Sequence, residues 1–277
     1  MEAELLISKE NIIVNNWDTL KQDILNGVES REDGLDMIRV RNFFEKNGLK
    51  FSTVLFVNKE GKEKIASFFD NRGFVVPVDC FNNQGRFVAD LDICFVQRDF
   101  KDEEGVSYED TNGPLFTEGV AVHEAFHGTG NSFFMETQDV QSRIGFLSQN
   151  KNQINLQKGS FFEEGFAELF RVRYLMDNGW DVRGDDEGQE FIFYNSKQEE
   201  RARFQSIAGI GLKKLIEDKP IIWELLIAAR KDIDGLRSYI KKLEELYPGL
   251  YKQLRDLQHN EQSFMDGLRL INSYIKK

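Results

Sequence analysis

The stretch that organises this chain is Val120-Ala121-Val122-His123-Glu124-Ala125-Phe126-His127-Gly128. His123 and His127 stand four positions apart, so on a helix they share one face with Cβ atoms about 5–6 Å apart, which one zinc ion can bridge. Glu124 is displaced by about 100° around such a helix, and from there it can reach the water on the metal without being a ligand. The alternative is a coincidental pair on an amphipathic helix, which is disfavoured because the chain has only three histidines.

A catalytic zinc ion needs a third protein ligand beside its water molecule. The metzincin arrangement would place another histidine six residues after His127, and the residue there is Phe133. That arrangement is therefore excluded, and the other solution is a glutamate on a later helix. Three glutamates occur in the segment Ser160-Phe161-Phe162-Glu163-Glu164-Gly165-Phe166-Ala167-Glu168.

Local rules give each of these glutamates a different part. Ser160 followed by Glu163 fits a capping box, in which Glu163 bonds back to the first turn of its helix. Glu164 and Glu168 are four apart, where two carboxylates repel unless a cation or a donor lies before them. We therefore predict Glu164 as the third zinc ligand and Glu168 as the acceptor of the outward N–H of a ligating histidine. Gly165 is predicted to let the two active-site helices approach closely. The alternative is an amphipathic helix with solvated glutamates.

His123-Glu124-Ala125-Phe126-His127 followed by Glu164-Gly165-Phe166-Ala167-Glu168 resembles the gluzincin, or thermolysin-like, zinc metallopeptidases. The resemblance covers roughly residues 87–178. It implies that His123, His127 and Glu164 bind one Zn2+ ion. It also implies that Glu124 is the general base and acid, that Glu168 supports a histidine ligand, and that the substrate is a peptide or protein. The alternative function is a zinc-containing binding or regulatory protein with little or no hydrolytic activity.

Gluzincins also use a tyrosine or a histidine beyond the glutamate helix to stabilise the oxyanion. Tyr194 and His259 are the candidates in this chain, and a structural or surface position is the alternative for each. Thr129 stands where the family pattern usually has an apolar residue.

The periodicity of the chain divides it into three segments. Residues 1–50 show helical spacing, residues 51–180 combine short strands with the two site helices, and residues 181–277 become helical again. Breaks are predicted at Pro220 and at Pro248-Gly249, with one last helix from Leu250 to Tyr274. Together with the resemblance, this predicts an α+β, zincin-like fold. It has a small mixed or antiparallel sheet with an edge strand over the active-site helix, and a mostly helical C-terminal lobe.

One strand is expected from Arg86 to Val96, because apolar and polar residues alternate along it. The apolar face would carry Phe87, Ala89, Leu91, Ile93 and Phe95, and the other face Asp90, Asp92 and Cys94. An exposed sheet edge in this region could pair with an extended peptide through main-chain hydrogen bonds. The alternative is an ordinary edge strand with solvated aspartates.

Composition narrows the classes of partner. A net charge of −11 over 277 residues argues against nucleic acid and against an anionic membrane surface. No signal peptide and no run of about 18 apolar residues is visible, so a cytoplasmic location is expected. Cys80 and Cys94 are expected as reduced thiols, with a disulfide between them as the alternative. Nothing in the pattern indicates an oligomeric state.

Overall fold

The computed structural model describes residues 18–71, 84–88, 91–101, 105, 107, 109, 112–130, 132–133, 142–144, 146–150, 153–184, 191–194, 199–201 and 205–275. Within these residues the chain is a mixed α and β protein that is mostly helical. The helices are α1 (18–27), α2 (Met37–Lys46), α3 (Lys59–Asp70), α4 (Pro114–Thr129), α5 (Ser160–Asp177), α6 (Gln205–Asp218), α7 (Ile221–Lys231), α8 (Ile233–Leu246), α9 (Leu250–Arg255) and α10 (Glu261–Ile275). The strands are β1 (Thr53–Val57), β2 (Gly85–Val88), β3 (Ile93–Gln97), β4 (Ser132–Phe133), β5 (Ser142–Ile144), β6 (Leu147–Asn150), β7 (Gln153–Lys158), β8 (Asp181–Gly184), β9 (Phe191–Tyr194) and β10 (Glu199–Arg201). Among the described helices, none combines the length and the apolar character that crossing a bilayer requires.

The first helices follow the predicted periodicity. The buried positions in and directly after α1 and in α2 are Leu20, Ile24, Val28, Met37, Val40, Phe43 and Phe44. α2 ends at Lys46, and Gly48 beyond it has a left-handed φ of 64°, which costs glycine little. The helical prediction is therefore confirmed for the described part of this segment.

The sheet beside the histidine helix α4 has the order β1-β3-β2 in the described part of the chain. β1 and β3 run parallel, from Thr53 opposite Ile93 to Val57 opposite Gln97. β2 pairs antiparallel with the other side of β3. The sheet is therefore mixed, and β2 lies at its edge among the described strands.

The single strand predicted from Arg86 to Val96 is wrong, because the chain turns back on itself within it. β2 and β3 instead form an antiparallel hairpin. Asp92 in the turn has a φ of 49°, and its carboxylate accepts hydrogen bonds from Ser52 Oγ at 2.8 Å and from Lys50 Nζ at 2.5 Å. These donors stabilise a left-handed backbone that residues other than glycine rarely adopt.

Both faces of β3 are buried, so the polar, solvent-facing side predicted for this strand is also wrong. Ile93 and Phe95 belong to a small hydrophobic cluster with residues of α1 and α3. Cys94 and Val96 belong to a larger cluster with residues of α4, α5 and the C-terminal helices. A strand that helices cover on both faces needs no polar side, because neither face meets water. Cys94 is a free, buried thiol, and Cys80 lies outside the described residues.

The C-terminal part consists of helices α6 to α10, which follow the short antiparallel strands β8 to β10. Pro220 separates α6 from α7 and Pro248-Gly249 separates α8 from α9, as predicted. The last predicted helix, Leu250 to Tyr274, is divided into α9 and α10. Asn260 starts the second of them, because its side-chain oxygen accepts a hydrogen bond from Ser263 N at 2.9 Å, as an N-cap does.

A buried carboxylate connects α4 with α2 and α5. Glu118 of α4, whose side chain is 1% exposed, accepts from Arg39 Nη2 at 2.6 Å. It also accepts from Asp36 N at 2.7 Å and from the hydroxyl of Tyr174. Hydrogen bonds to a charged acceptor are stronger than neutral ones, so this network fixes the first half of the histidine helix.

Two glycines set the distances between α5 and its neighbours. A Cβ on Gly119 of α4 would lie 3.0 Å from Leu175 Cδ2, so this glycine allows α4 and α5 to approach closely. The prediction for Gly165 is wrong. A Cβ there would lie 2.7 Å from Leu212 Cδ1 and 2.9 Å from the carbonyl carbon of Ala208, both in α6. Gly165 faces α6 because it follows the glutamate at 164 and is turned by about 100° from it.

Replacing Gly165 by alanine should lower the free energy of unfolding by about 1–3 kcal/mol. The added methyl group would meet the backbone of Ala208 at 2.9 Å, and backbone atoms cannot rotate away as a side chain can. Chemical denaturation followed by circular dichroism measures the change. Met176→Ala is the control, because Met176 lies on the same helix and is 53% exposed, and should stay within about 0.5 kcal/mol of wild type. A Gly165→Ala protein as stable as wild type would contradict the close packing of α5 on α6.

Candidate metal centre

Beyond its first two residues, Pro114 and Leu115, the histidine helix α4 is buried except around the sequence motif. It begins at Pro114, where a proline loses no helical hydrogen bond. Between residues 116 and 129, the positions that are not buried are His123, Glu124, His127 and Gly128. The open side of an otherwise buried helix therefore consists of the motif itself.

The structure brings the three predicted ligands together. One ligand atom each from His123, His127 and Glu164 can be chosen so that all three lie within 4.8 Å of one another. Glu164 Oε2 is 3.5 Å from His123 Nε2 and 3.9 Å from His127 Nε2. Tetrahedral zinc with bonds of about 2.0–2.2 Å separates its ligand atoms by about 3.3 Å. The three side chains therefore fit a divalent metal ion, and two imidazoles with one carboxylate suit zinc and other transition metals.

Glu168 lies behind His123, where the sequence placed it. Its Oε2 is 3.1 Å from His123 Nδ1, so the ring can donate a proton there and keep Nε2 directed at Glu164. Arg171 Nη1 is 3.3 Å from the Glu168 carboxylate and its guanidinium lies 4.6 Å from the centre of the Phe116 ring. Burial raises the pKa of Glu168, but the charge of Arg171 and the hydrogen bond to His123 outweigh it and lower the pKa.

Glu163 does not form the predicted capping box. The residue before the helix is Gly159, with a left-handed φ of 90°, and Ser160 Oγ has no hydrogen-bond partner in the described part of the chain. The Glu163 side chain is buried, with Oε1 3.0 Å from His127 Nδ1 and Oε2 3.0 Å from Phe146 N. It therefore supports the second histidine as Glu168 supports the first.

Helix geometry could have indicated this pair of supports. Relative to Glu164, Glu163 is turned by about 100° to one side and Glu168 by about 40° to the other. The two outer carboxylates therefore flank Glu164 and reach one histidine ring each. A local capping rule considers only the residues at the helix start, and the contact of Glu163 with His127 takes precedence over it.

Arg230 of α7 is the residue that sequence analysis missed. Its side chain is 0% exposed, and Nη1 is 2.6 Å from Glu163 Oε2. Burial raises the pKa of Glu163, but the charge of Arg230 and the hydrogen bond to His127 outweigh it and lower the pKa. The available signal was its spacing, since Arg230 follows Ile222 and Leu226 by eight and four positions on the apolar face of its helix.

Thr129, the departure from the family pattern, belongs to the same contact. Its hydroxyl accepts a hydrogen bond from Arg230 Nε at 2.9 Å and donates one to Phe126 O at 2.7 Å. An apolar residue at this position could not accept from the guanidinium. The hydrogen bond to the buried Arg230 thus explains why a threonine occurs at position 129.

Gly85 of the edge strand β2 lies directly against Glu124. A Cβ on this glycine would be 2.6 Å from Glu124 Cγ and 2.8 Å from its Oε1. Any side chain at this position would therefore force Glu124 to move, and a glycine in a strand often marks such a close approach. The predicted position of an edge strand over the active-site helix thus agrees with the contact between β2 and α4.

For the two oxyanion candidates, the structure describes the backbone position of Tyr194 and the side chain of His259. Tyr194 lies in β9, opposite Asp181 and Glu199, and its side chain is outside the described residues. His259 is exposed and its ring meets that of Phe264 edge-on, with centres 5.6 Å apart. The charge of His259 is among those that lower the pKa of Glu164, so this histidine is within electrostatic reach of the centre.

The centre favours positive charge. Burial lowers the pKa of His123, but its hydrogen bonds to Glu164 and Glu168 outweigh burial and raise the pKa from 6.5 to about 10. Burial raises the pKa of Glu164, but the charges of His127 and His123 outweigh it and lower the pKa from 4.5 to about 2. His123 therefore tends to hold a proton in the metal-free protein, and a metal ion must displace it.

Comparisons with protein-family models, with curated proteins and with solved structures found no match to this chain. The interpretation of the centre therefore depends on the geometry described above.

The metal-free protein should lose stability as the pH rises. The pKa of His123 in the folded chain, about 10, exceeds the ordinary value of 6.5, so its proton stabilises the fold fully below pH 6.5 and not above about pH 10. Urea unfolding of chelator-treated protein between pH 6 and 9 measures this decrease, and added zinc should oppose it by replacing the proton. Glu164→Ala should show a shallower decrease, because Glu164 helps to raise that pKa. Glu217→Ala, at a side chain 61% exposed, is the control, and equal slopes in all three proteins would refute the coupling.

Proposed function

We propose that this chain is a zinc-dependent peptidase of the gluzincin type. The observation that carries the proposal is the cluster of His123, His127 and Glu164, whose ligand atoms lie within 4.8 Å of one another. The described residues provide three protein ligands, and three ligands leave a coordination position for water, as in catalytic zinc sites, whereas structural sites use four. The zincin-like fold and a cytoplasmic location belong to the same proposal. A mixed sheet against the histidine helix supports the first.

Glu124 is the residue assigned to proton transfer. It is one of the motif residues on the open side of α4, one position after His123. A zinc ion in the centre supplies Lewis-acid activation of water and of the scissile carbonyl group. The Glu124 carboxylate accepts the proton of the attacking water and delivers it to the leaving amine. Balanced in this way, the reaction adds one water molecule across the peptide bond.

Glu163 and Glu168 prepare the histidines for this task. Each accepts from an Nδ1 atom, at 3.0 Å from His127 and 3.1 Å from His123. With the proton held on Nδ1, the lone pair of each ring is on Nε2, on the side of Glu164. Such outer hydrogen bonds fix both the tautomer and the ring orientation of metal ligands.

The edge strand β2 supports a peptide as substrate. An extended peptide can add to a free sheet edge through main-chain hydrogen bonds. β2 lies at the edge among the described strands, and Gly85 brings its backbone against Glu124. A peptide on this strand would therefore pass the proton-transfer residue.

Metal analysis of the purified protein together with a peptide-library digest tests the proposal. We expect about one zinc ion per chain and cleavage that a chelator abolishes and zinc restores. Bound zinc with no cleavage of any peptide would favour the alternative, a zinc-containing binding or regulatory protein. Cleavage that survives complete metal removal would refute the proposed chemistry.

Glu124→Gln should retain zinc and lower kcat by several orders of magnitude, because the amide cannot accept the proton of water. Metal content and kcat on a peptide from the digest are the measurements. Glu109→Gln is a control, since Glu109 pairs with Arg98 away from the histidines and should affect stability alone. Wild-type turnover in Glu124→Gln would refute the role assigned to Glu124.

Gly85→Ala should lower kcat at least tenfold while zinc affinity stays within about twofold of wild type. The new methyl group would displace Glu124, whose Cγ lies 2.6 Å from the Cβ position, and small displacements of catalytic groups are costly. Zinc titration and steady-state kinetics measure the two effects. Val88→Ala, in the same strand, is the control for general weakening of β2. If both variants lose activity equally, Gly85 has no special part in positioning Glu124.

A further inference from the structure

The guanidinium of Arg230 binds both the Glu163 carboxylate and the backbone carbonyls at the end of the histidine helix α4. The proposed reaction gives this arginine no role. The guanidinium binds Glu163 Oε2 at 2.6 Å, and the other oxygen of that carboxylate faces His127 Nδ1 at 3.0 Å. It also donates from Nη2 to Phe126 O at 2.6 Å and to His127 O at 3.1 Å. Arg230 therefore contacts both the support of His127 and the backbone of His127 itself.

The backbone contacts occur at the end of the histidine helix. α4 ends at Thr129, so Phe126 O and His127 O belong to the last four carbonyls, which have no partner within a helix. A cation is favourable at this end of the helix dipole. The guanidinium supplies both the donors and the charge, and its Cζ lies 4.5 Å from the centre of the Phe126 ring.

The support on the other histidine is built differently. Glu168, behind His123, meets Arg171 at 3.3 Å, and the side chain of Arg171 is 13% exposed. Glu163 meets Arg230 at 2.6 Å, and both side chains are 0% exposed. A buried pair cannot exchange its partner for water, so removing one member leaves the other charge unpaired. The position of His127 therefore depends on its arginine more strongly than that of His123.

We propose that Arg230 is a positioning residue of the metal centre, which holds Glu163 against His127 Nδ1 and fixes the last turn of α4 so that His127 Nε2 faces the metal. The inference rests on the proposed metal site, and it assigns to α7, far from the motif in sequence, a part in metal affinity. Arg230 acts through Glu163 and through the helix carbonyls and is not itself a ligand.

The test compares Arg230→Met with Arg39→Met in the full-length, metal-free protein. Arg39 also binds a buried glutamate at 2.6 Å, but that glutamate is Glu118 of α4, which faces neither histidine ring. Zinc affinity by competition with a chromophoric chelator, the visible spectrum of the cobalt-substituted protein and the metal-free Tm are the readouts. Both variants should lower Tm, and only Arg230→Met should weaken zinc binding, by about 10–100-fold, and change the cobalt spectrum.

Two further variants keep the test decisive. Thr129→Val removes one acceptor of the guanidinium at nearly constant side-chain volume. We expect it to lower zinc affinity several-fold. If Arg230→Met does not fold, this variant tests the positioning role in its place. In a Glu163→Gln background, Arg230→Met should weaken zinc binding much less than it does in wild type, because coupled residues are not additive.

Three results would separate the inference from the proposed function. Wild-type zinc affinity in Arg230→Met, or in Thr129→Val where the former does not fold, overturns the positioning role and leaves the peptidase untouched. Weakened zinc binding in these variants, in a protein that hydrolyses no peptide, supports the positioning role and refutes the peptidase. A wild-type chain that binds neither zinc nor cobalt overturns both.

Discussion

Charge cannot be buried without a partner, and the centre of this protein encloses three glutamates beside two imidazole rings. Taking a carboxylate out of water costs several kcal/mol unless donors or a cation replace the water. Arg171 compensates Glu168 and Arg230 compensates Glu163. Glu164 instead faces the two histidine rings. The arginines thus distinguish two supporting carboxylates from the one whose charge is directed at the metal position. Gly119 lets α4 and α5, the two helices that carry these side chains, pack closely.

Much of the centre could be predicted because its signals are local. Spacing of four along a helix joins His123 to His127, and the same spacing joins Glu164 to Glu168. Pro114 marks the start of the histidine helix and Gly179, with a φ of 93°, follows the end of the glutamate helix. Such rules need a few neighbouring residues, and the structure agrees with each of them.

The features of the site and the fold that could not be predicted depend on contacts between residues far apart in the sequence. The capping rule for Glu163 failed because a ring, a backbone amide and a buried guanidinium offered this carboxylate better partners than its own helix start. The strand predicted over residues 86–96 failed for a related reason. Alternating apolar and polar residues are typical of a strand with one solvent-exposed face, and here helices cover both faces of β3. The turn at Asp92 is stabilised by donors from residues 50 and 52, about forty positions earlier.

The position of Arg230 along the chain has a consequence for how the protein matures. The carbonyl of His127 and the guanidinium that holds it are separated by 103 residues. At a synthesis rate of about 5–20 residues per second, the ribosome needs about 5–20 s to make this interval. Glu168, the last of the three glutamates, lies 41 positions after His127 and 62 positions before Arg230. During the second part of the interval both imidazoles and all three glutamates therefore exist, while the last turn of the histidine helix α4 lacks its cation. A nascent chain therefore carries an incomplete centre until α7, the helix that bears Arg230, has been synthesised.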